Sequence, residues 1–194
     1  CKAPNCLRYS ATCPGGSRFK NGSCASAPGW KMRSSISKAT VAPELRDGDS
    51  IAVNGVCLTV VRRDDRHFET EIGPETARVT TLGGFMPGTI VNLERPMRPD
   101  GRMGGHFVLG HVDGTGTLTA IRQDGEFWWI TVGFDPAMAA YFIPKGSVAV
   151  DGISLTVAAL RHPRSLALPV QQIEFVPARP LRARDRSTGC DPVH

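Results

Sequence analysis

Ser50-Ile51-Ala52-Val53-Asn54-Gly55-Val56-Cys57-Leu58-Thr59-Val60 occurs twice in this chain. Ser147-Val148-Ala149-Val150-Asp151-Gly152-Ile153-Ser154-Leu155-Thr156-Val157 repeats it 97 positions later, with seven of eleven residues identical and three of the other four conservative. Self-similarity at a fixed offset marks a duplicated structural unit. Each copy runs through β-branched residues into Asn54-Gly55 or Asp151-Gly152, dipeptides suited to φ > 0 in a two-residue hairpin. The spacing therefore predicts a strand, a tight turn and a second strand, twice. Two residues past each glycine stand Cys57 and Ser154, a thiol and a hydroxyl at equivalent places, each followed by Leu and Thr. That pairing fits one ancestral pocket used twice. Against it stands the simpler picture of a structural hairpin, in which a buried Cys is a small hydrophobe.

Outward from the hairpins the chain keeps one character between about residues 40 and 160. Phe68-Glu69-Thr70-Glu71-Ile72 alternates as a strand, Gly73-Pro74-Glu75-Thr76 reads as a polar turn, and Thr89 to Glu94 as a further strand. Met97 to Gly105 has the glycines and prolines of a linker. Thr115 to Ile121 and Phe127 to Val132 alternate around Asp124-Gly125, and Asp135-Pro136 has the form of a helix start. Short strands at close spacing with Gly and Pro between them predict small antiparallel barrels.

The two ends differ from this body. Residues 1–38 carry seven basic residues and no acidic one, residues 161–194 six Arg against three acidic residues, and residues 39–160 ten basic against fifteen acidic. The net charge of +5 thus belongs to the ends, and a basic groove for nucleic acid is not indicated. No apolar run reaches the roughly 18 residues of a membrane span, and a signal-peptide pattern is not seen. The expectation is a soluble, cytoplasmic protein. Cys1, Cys6, Cys13 and Cys24 lack the paired spacing and His partners of a zinc site and are expected to be reduced thiols. His106 and His111, five apart, fall on opposite faces of a strand, which favours a structural or substrate-contacting role over a shared metal.

Several ordered motifs together carry a family resemblance. Asp49 to Val60, Pro74-Glu75-Thr76 with Thr80-Thr81-Leu82-Gly83, Val91 to Arg95, Gly104-Gly105-His106-Phe107-Val108 with Gly110-His111-Val112-Asp113-Gly114, and Lys145-Gly146 through Val157 resemble riboflavin synthase of the α-chain type. The resemblance implies an all-β chain of two similar six-stranded Greek-key barrels in tandem, over 39–96 and 97–160. It also implies a homotrimer that, without a cofactor or metal, converts two molecules of 6,7-dimethyl-8-ribityllumazine into riboflavin and a ribitylamino-pyrimidinedione. Carried over by motif, Cys57, Leu58 and Thr59 contact lumazine in the first barrel, with Glu71, Ile72, Gly73, Pro74, Glu75 and Thr76 closing that pocket. Gly110, His111 and Val112, then Lys145, Ser154, Leu155 and Thr156, contact lumazine in or near the second. One lumazine loses a proton from its 7-methyl group while the other is activated by addition of a nucleophile, so Ser50, Cys57 and His111 are the candidates for proton transfer or addition.

Both ends depart from the family pattern. Residues 1–38 lack its Met-Phe-Thr-Gly-Ile type opening, and residues 161–194, rich in Arg and Pro, lack the echo of Phe68 through Glu94 that the duplication calls for. Both segments are expected to lie outside the packed body, leaving both barrels incomplete, although Leu166 to Val176 is apolar enough to add one strand to an open edge. The alternatives to a synthase are a non-catalytic lumazine or flavin carrier on the same barrels, or an inactive damaged copy.

Overall fold

Asn54 (φ 48°) and Gly55 (φ 79°), like Asp151 (φ 49°) and Gly152 (φ 86°), lie in the left-handed region. This is the backbone of a type I′ turn, whose twist matches that of the strands it joins. The computed structural model describes residues 6–9, 32–37, 39–161 and 165–170. The first half is one antiparallel sheet built from β1 (Cys6–Tyr9), β2 (Met32–Ser37), β3 (Ser50–Val53), β4 (Val56–Arg63), β5 (His67–Ile72) and β6 (Leu93–Glu94), in the order β1-β2-β5-β4-β3-β6. The second half comprises β7 (Gly116–Asp124), β8 (Phe127–Phe134), β9 (Ser147–Val150), β10 (Ile153–Thr156), β11 (Ala159–Arg161) and β12 (Ser165–Val170). There a four-stranded sheet runs β11-β12-β8-β7 beside the β9–β10 hairpin. The architecture is all-β, two related units in tandem, with one short helix, α1 (Pro74–Val79), and three 3-10 turns among the described residues.

The duplication extends to hydrogen-bond register. Ser50 lies opposite Thr59 and Ser147 opposite Thr156, both partners displaced by 97. Met32 opposite Ile72 becomes Trp129 opposite Pro169, again by 97. Entry to each hairpin is closed in the same way: Gly48 N donates to Val60 O at 2.8 Å and Val60 N to Asp49 O at 2.8 Å. In the second copy Lys145 N donates to Val157 O at 2.7 Å and Val157 N to Gly146 O at 2.8 Å.

Register places β2 and β12 inside the body, where the composition of residues 1–38 and 161–194 predicts no packed structure. On β2, Met32, Ser34 and Ile36 face the first core, and on β12 Leu166, Ala167 and Leu168 are buried. A sheet with unpaired edges gains by recruiting any extended segment that can bury apolar side chains, and both segments can. The remainder of those two ends, including Cys1, Cys13, Cys24 and Cys190, lies outside the described residues. Gly73 to Thr76, expected as a turn, is the entry to α1, with Pro74 at the first helical position where its missing N–H costs nothing.

Alternation produces the first core: Ile51, Val53, Val56, Leu58, Val60, Phe68 and Ile72 point inward while Ser50, Cys57, Thr59 and Glu71 point away. Fourteen buried apolar side chains form this core, against five in the second, Ile130, Leu155, Val157, Leu166 and Leu168. The halves meet turn to turn. A Cβ placed on Gly55 would lie 2.2 Å from Gly152 N and 2.9 Å from Asp151 C. Asp151 stands where the first copy has Asn54, and burial raises its carboxyl above its ordinary pKa. The folded chain then holds a proton longer than the unfolded one, so stability falls as pH rises through the window above about 3.9. Asp151→Asn is expected to remove that slope and raise Tm at pH 7, with the gain vanishing toward pH 3 in a thermal melt series. No helix among the described residues is long and apolar enough to cross a membrane.

Candidate functional site

Register carries the repeated polar residues to one surface of each hairpin. Ser50, Ala52, Cys57 and Thr59 share the outward face of β3–β4, because Ser50 opposes Thr59 and Ala52 opposes Cys57. Ser147, Ala149, Ser154 and Thr156 share the corresponding face of β9–β10. Beneath them Leu58 (5% exposed) and Leu155 (7%) belong to the cores, as does Ile72 (1%). Any contact these three make with a ligand on the outward face is through backbone.

The first patch continues across the sheet. On β5 Glu71 also points outward, and its carboxylate accepts from Arg33 Nη2 on β2 at 3.1 Å. At the end of β5, Gly73 and Pro74 lead into α1, where Glu75 is held by Arg78 (Nε to Oε2, 2.9 Å). That guanidinium depresses the Glu75 carboxyl below its ordinary pKa. Thr76 offers its carbonyl to Thr80 N at 3.1 Å. Ser50 also opens on a cleft lined by Glu44, Arg46, Asp49, Arg95 and Arg98.

Gly110, His111 and Val112, expected near the second barrel, sit on the first. Cys57 N donates to Gly110 O at 2.9 Å, and Val112 packs against the first core. A Cβ on Gly110 would fall 2.4 Å from Cys57 Cβ, so only glycine admits this approach. The consequence is that His111 follows directly on the residue stacked against Cys57, and two of the three candidate proton carriers come from distant sequence to one place. Ser50 stands two register steps along the same face.

Lys145, the counterpart of Gly48, is left-handed at φ 66° where Gly48 has φ 92°. For a residue with a side chain this conformation costs about 1–2 kcal/mol. Strain of this kind persists where a side chain is needed, and Lys145 leads directly into the Ser147 to Thr156 patch. Among the described residues no group of three or more His, Cys, Asp or Glu could hold a metal ion.

His106, expected in a structural or substrate-contacting role, joins this site with a partner the sequence did not indicate. His106 Nδ1 lies 2.9 Å from Ser154 Oγ, 48 residues away in sequence. Only the GGHF motif hinted at it, and motif alone gave no partner.

Comparison with known proteins finds the same duplication. The model of the lumazine binding domain matches residues 20–96 and again 109–174. Riboflavin synthase of Bacillus amyloliquefaciens is 43% identical over 132 residues, covering 68% of this chain and 61% of that protein. Riboflavin synthase of Schizosaccharomyces pombe is 41% identical over 148 residues, covering 74% and 70%. The chain spans about three-fifths of the length of the bacterial relative. Among solved structures, LumP complexed with 6,7-dimethyl-8-(1'-D-ribityl) lumazine aligns with a TM-score of 0.65 at 16% identity, covering 87% of this chain and 83% of that one. LumP complexed with riboflavin aligns equally well, with a TM-score of 0.65 at 19% identity. At such identity the likeness is one of fold.

Proposed function

Because this chain belongs to the lumazine binding domain family, we propose that it is a riboflavin synthase, dismutating two molecules of 6,7-dimethyl-8-ribityllumazine to riboflavin and 5-amino-6-ribitylamino-pyrimidinedione. The observation that carries this reading is the doubled outward patch: Ser50, Cys57 and Thr59 recur in the same register as Ser147, Ser154 and Thr156. A reaction between two copies of one substrate needs two similar binding surfaces, and binding alone needs one. Identity of 41–43% to synthases, against 16–19% to LumP, favours catalysis over carriage.

In this reading each patch holds one lumazine. Cys57, with the backbone around Leu58 and with Thr59, Glu71 and the Gly73 to Thr76 corner, receives the first. Lys145, Ser154, the backbone at Leu155, and Thr156 receive the second, and His111 stands on the Cys57 side. Ser50, Cys57 and His111 are the groups that move the proton from the 7-methyl of one lumazine or add to the ring of the other, work suited to side chains that both give and accept protons. Orienting two flat rings face to face supplies the larger share of the rate. The two units we propose, centred on 39–96 and 97–160, are each extended by a strand from outside those bounds, the first by β2 and the second by β12. The working form is a cytoplasmic homotrimer.

Titration of the full chain with 6,7-dimethyl-8-ribityllumazine tests the binding half of the reading. Ligand fluorescence is expected to change and to saturate at two equivalents per chain, and Cys57→Ala together with Ser154→Ala to weaken both phases. A spectrum unchanged at millimolar ligand with folded protein contradicts it.

A further inference from the structure

The five-residue stretch His106 to Gly110 spans the two equivalent positions of the duplication. Its first residue reaches Ser154, with Nδ1 and Oγ 2.9 Å apart, and its last meets Cys57, whose N–H donates to the Gly110 carbonyl at 2.9 Å. Between them Phe107 and Leu109 are 75% and 78% exposed. The two ends are chemically unequal. Ser154 has an imidazole against its hydroxyl, whereas among the described residues the Cys57 side chain makes no hydrogen bond and only its backbone is engaged.

We propose that His106 is the positioning residue of the second-repeat patch, orienting the Ser154 hydroxyl and serving as the terminus of its proton, a relay additional to Ser50, Cys57 and His111 that the Cys57 side of the duplicated site lacks. With its own proton on Nε2, His106 accepts the Ser154 O–H at Nδ1. When Oγ takes a proton from the bound heterocycle it passes its own to Nδ1, leaving a neutral serine, an imidazolium and a deprotonated ligand; the reverse transfer restores all three. A lone serine cannot do this, since its hydroxyl is a weak base and needs an adjacent one. For the identity of the ligand this rests on the synthase reading; the Ser154–His106 pair itself does not.

The pair can be tested without substrate. In the Cys57→Ser background, Ser154→Cys places a thiol beside the imidazole, and its alkylation by iodoacetamide is followed by peptide mass spectrometry with and without His106→Gln. Glutamine can hydrogen bond but cannot take up a proton. A thiol beside a histidine is activated, so alkylation at position 154 is expected to be about ten-fold faster at pH 7 with His106 in place than in the His106→Gln variant. Equal rates overturn the proposal. In the native chain, nitrogen-15 shifts of the His106 ring are expected to change on Ser154→Ala and not on Cys57→Ala; an unchanged ring on Ser154→Ala overturns it likewise. In turnover, His106→Gln, which keeps a hydrogen bond but loses the proton acceptor, is expected to lower kcat about 100-fold or more, with KM within about two-fold and a flattened acid limb of the pH profile. A native chain that makes no riboflavin contradicts the synthase reading, while the alkylation contrast still decides the pair.

Discussion

Gly55→Ala is expected to cost about 3 kcal/mol or more in a urea titration, about twice the cost of Gly48→Ala. Both positions are left-handed, φ 79° and 92°, so both substitutions meet the same backbone penalty of about 1–2 kcal/mol. They differ in what surrounds the new methyl group. At Gly48 nothing lies within 4 Å, whereas at Gly55 the methyl would sit 2.2 Å from Gly152 N and 2.5 Å from Gly152 Cα. Overpacking against atoms that cannot rotate aside adds about 1–3 kcal/mol. Nor can the first turn swing away: Asn54 N donates to Asn92 O at 2.9 Å and Asn92 N to Asn54 Oδ1 at 2.7 Å. Equal losses for the two variants would mean that the hairpins of the two halves do not meet.

Leu168→Ala is expected to cost about 2–4 kcal/mol, within the range for truncating a fully buried leucine, and to lower Tm accordingly. Leu168 is 0% exposed and lies opposite Ile130 in the β12–β8 pairing. With five buried apolar side chains in the second core, few neighbours are at hand to close the void. Leu109→Ala, at 78% exposure, is the control and should change stability by about 0.5 kcal/mol or less. Indistinguishable melts for the two variants would place β12 outside the packed body after all.

The chemistry of these strands explains what could and could not be seen in advance. β3, β4, β9 and β10 were legible because Asn54-Gly55 and Asp151-Gly152 admit little else, and because their apolar residues alternate cleanly. β2 was not, because Ser34 occupies a core position opposite Thr70 and the two buried hydroxyls have no hydrogen-bond partner among the described residues. A serine in place of an aliphatic residue erases the period on which a strand is recognised. β12 hid for the opposite reason: Leu166, Ala167 and Leu168 are all buried, so no alternation remains, and Pro169 follows. The outward residues Ser50, Cys57, Thr59 and Ser154 were legible from the repeat itself. The pairing of Cys57 with Gly110 and of Ser154 with His106 was not, because each joins segments about 50 residues apart through a stretch with no period of its own.

In the proposed function two similar surfaces bring two identical substrates together. The direct measurement is incubation of the full chain with 6,7-dimethyl-8-ribityllumazine alone, followed by chromatographic quantitation of what forms. Riboflavin and the ribitylamino-pyrimidinedione are expected in equal amounts, with two lumazines consumed for each riboflavin, and with formation strongly reduced in Cys57→Ala and in Ser154→Ala. Lumazine that binds saturably and is recovered unchanged would contradict it.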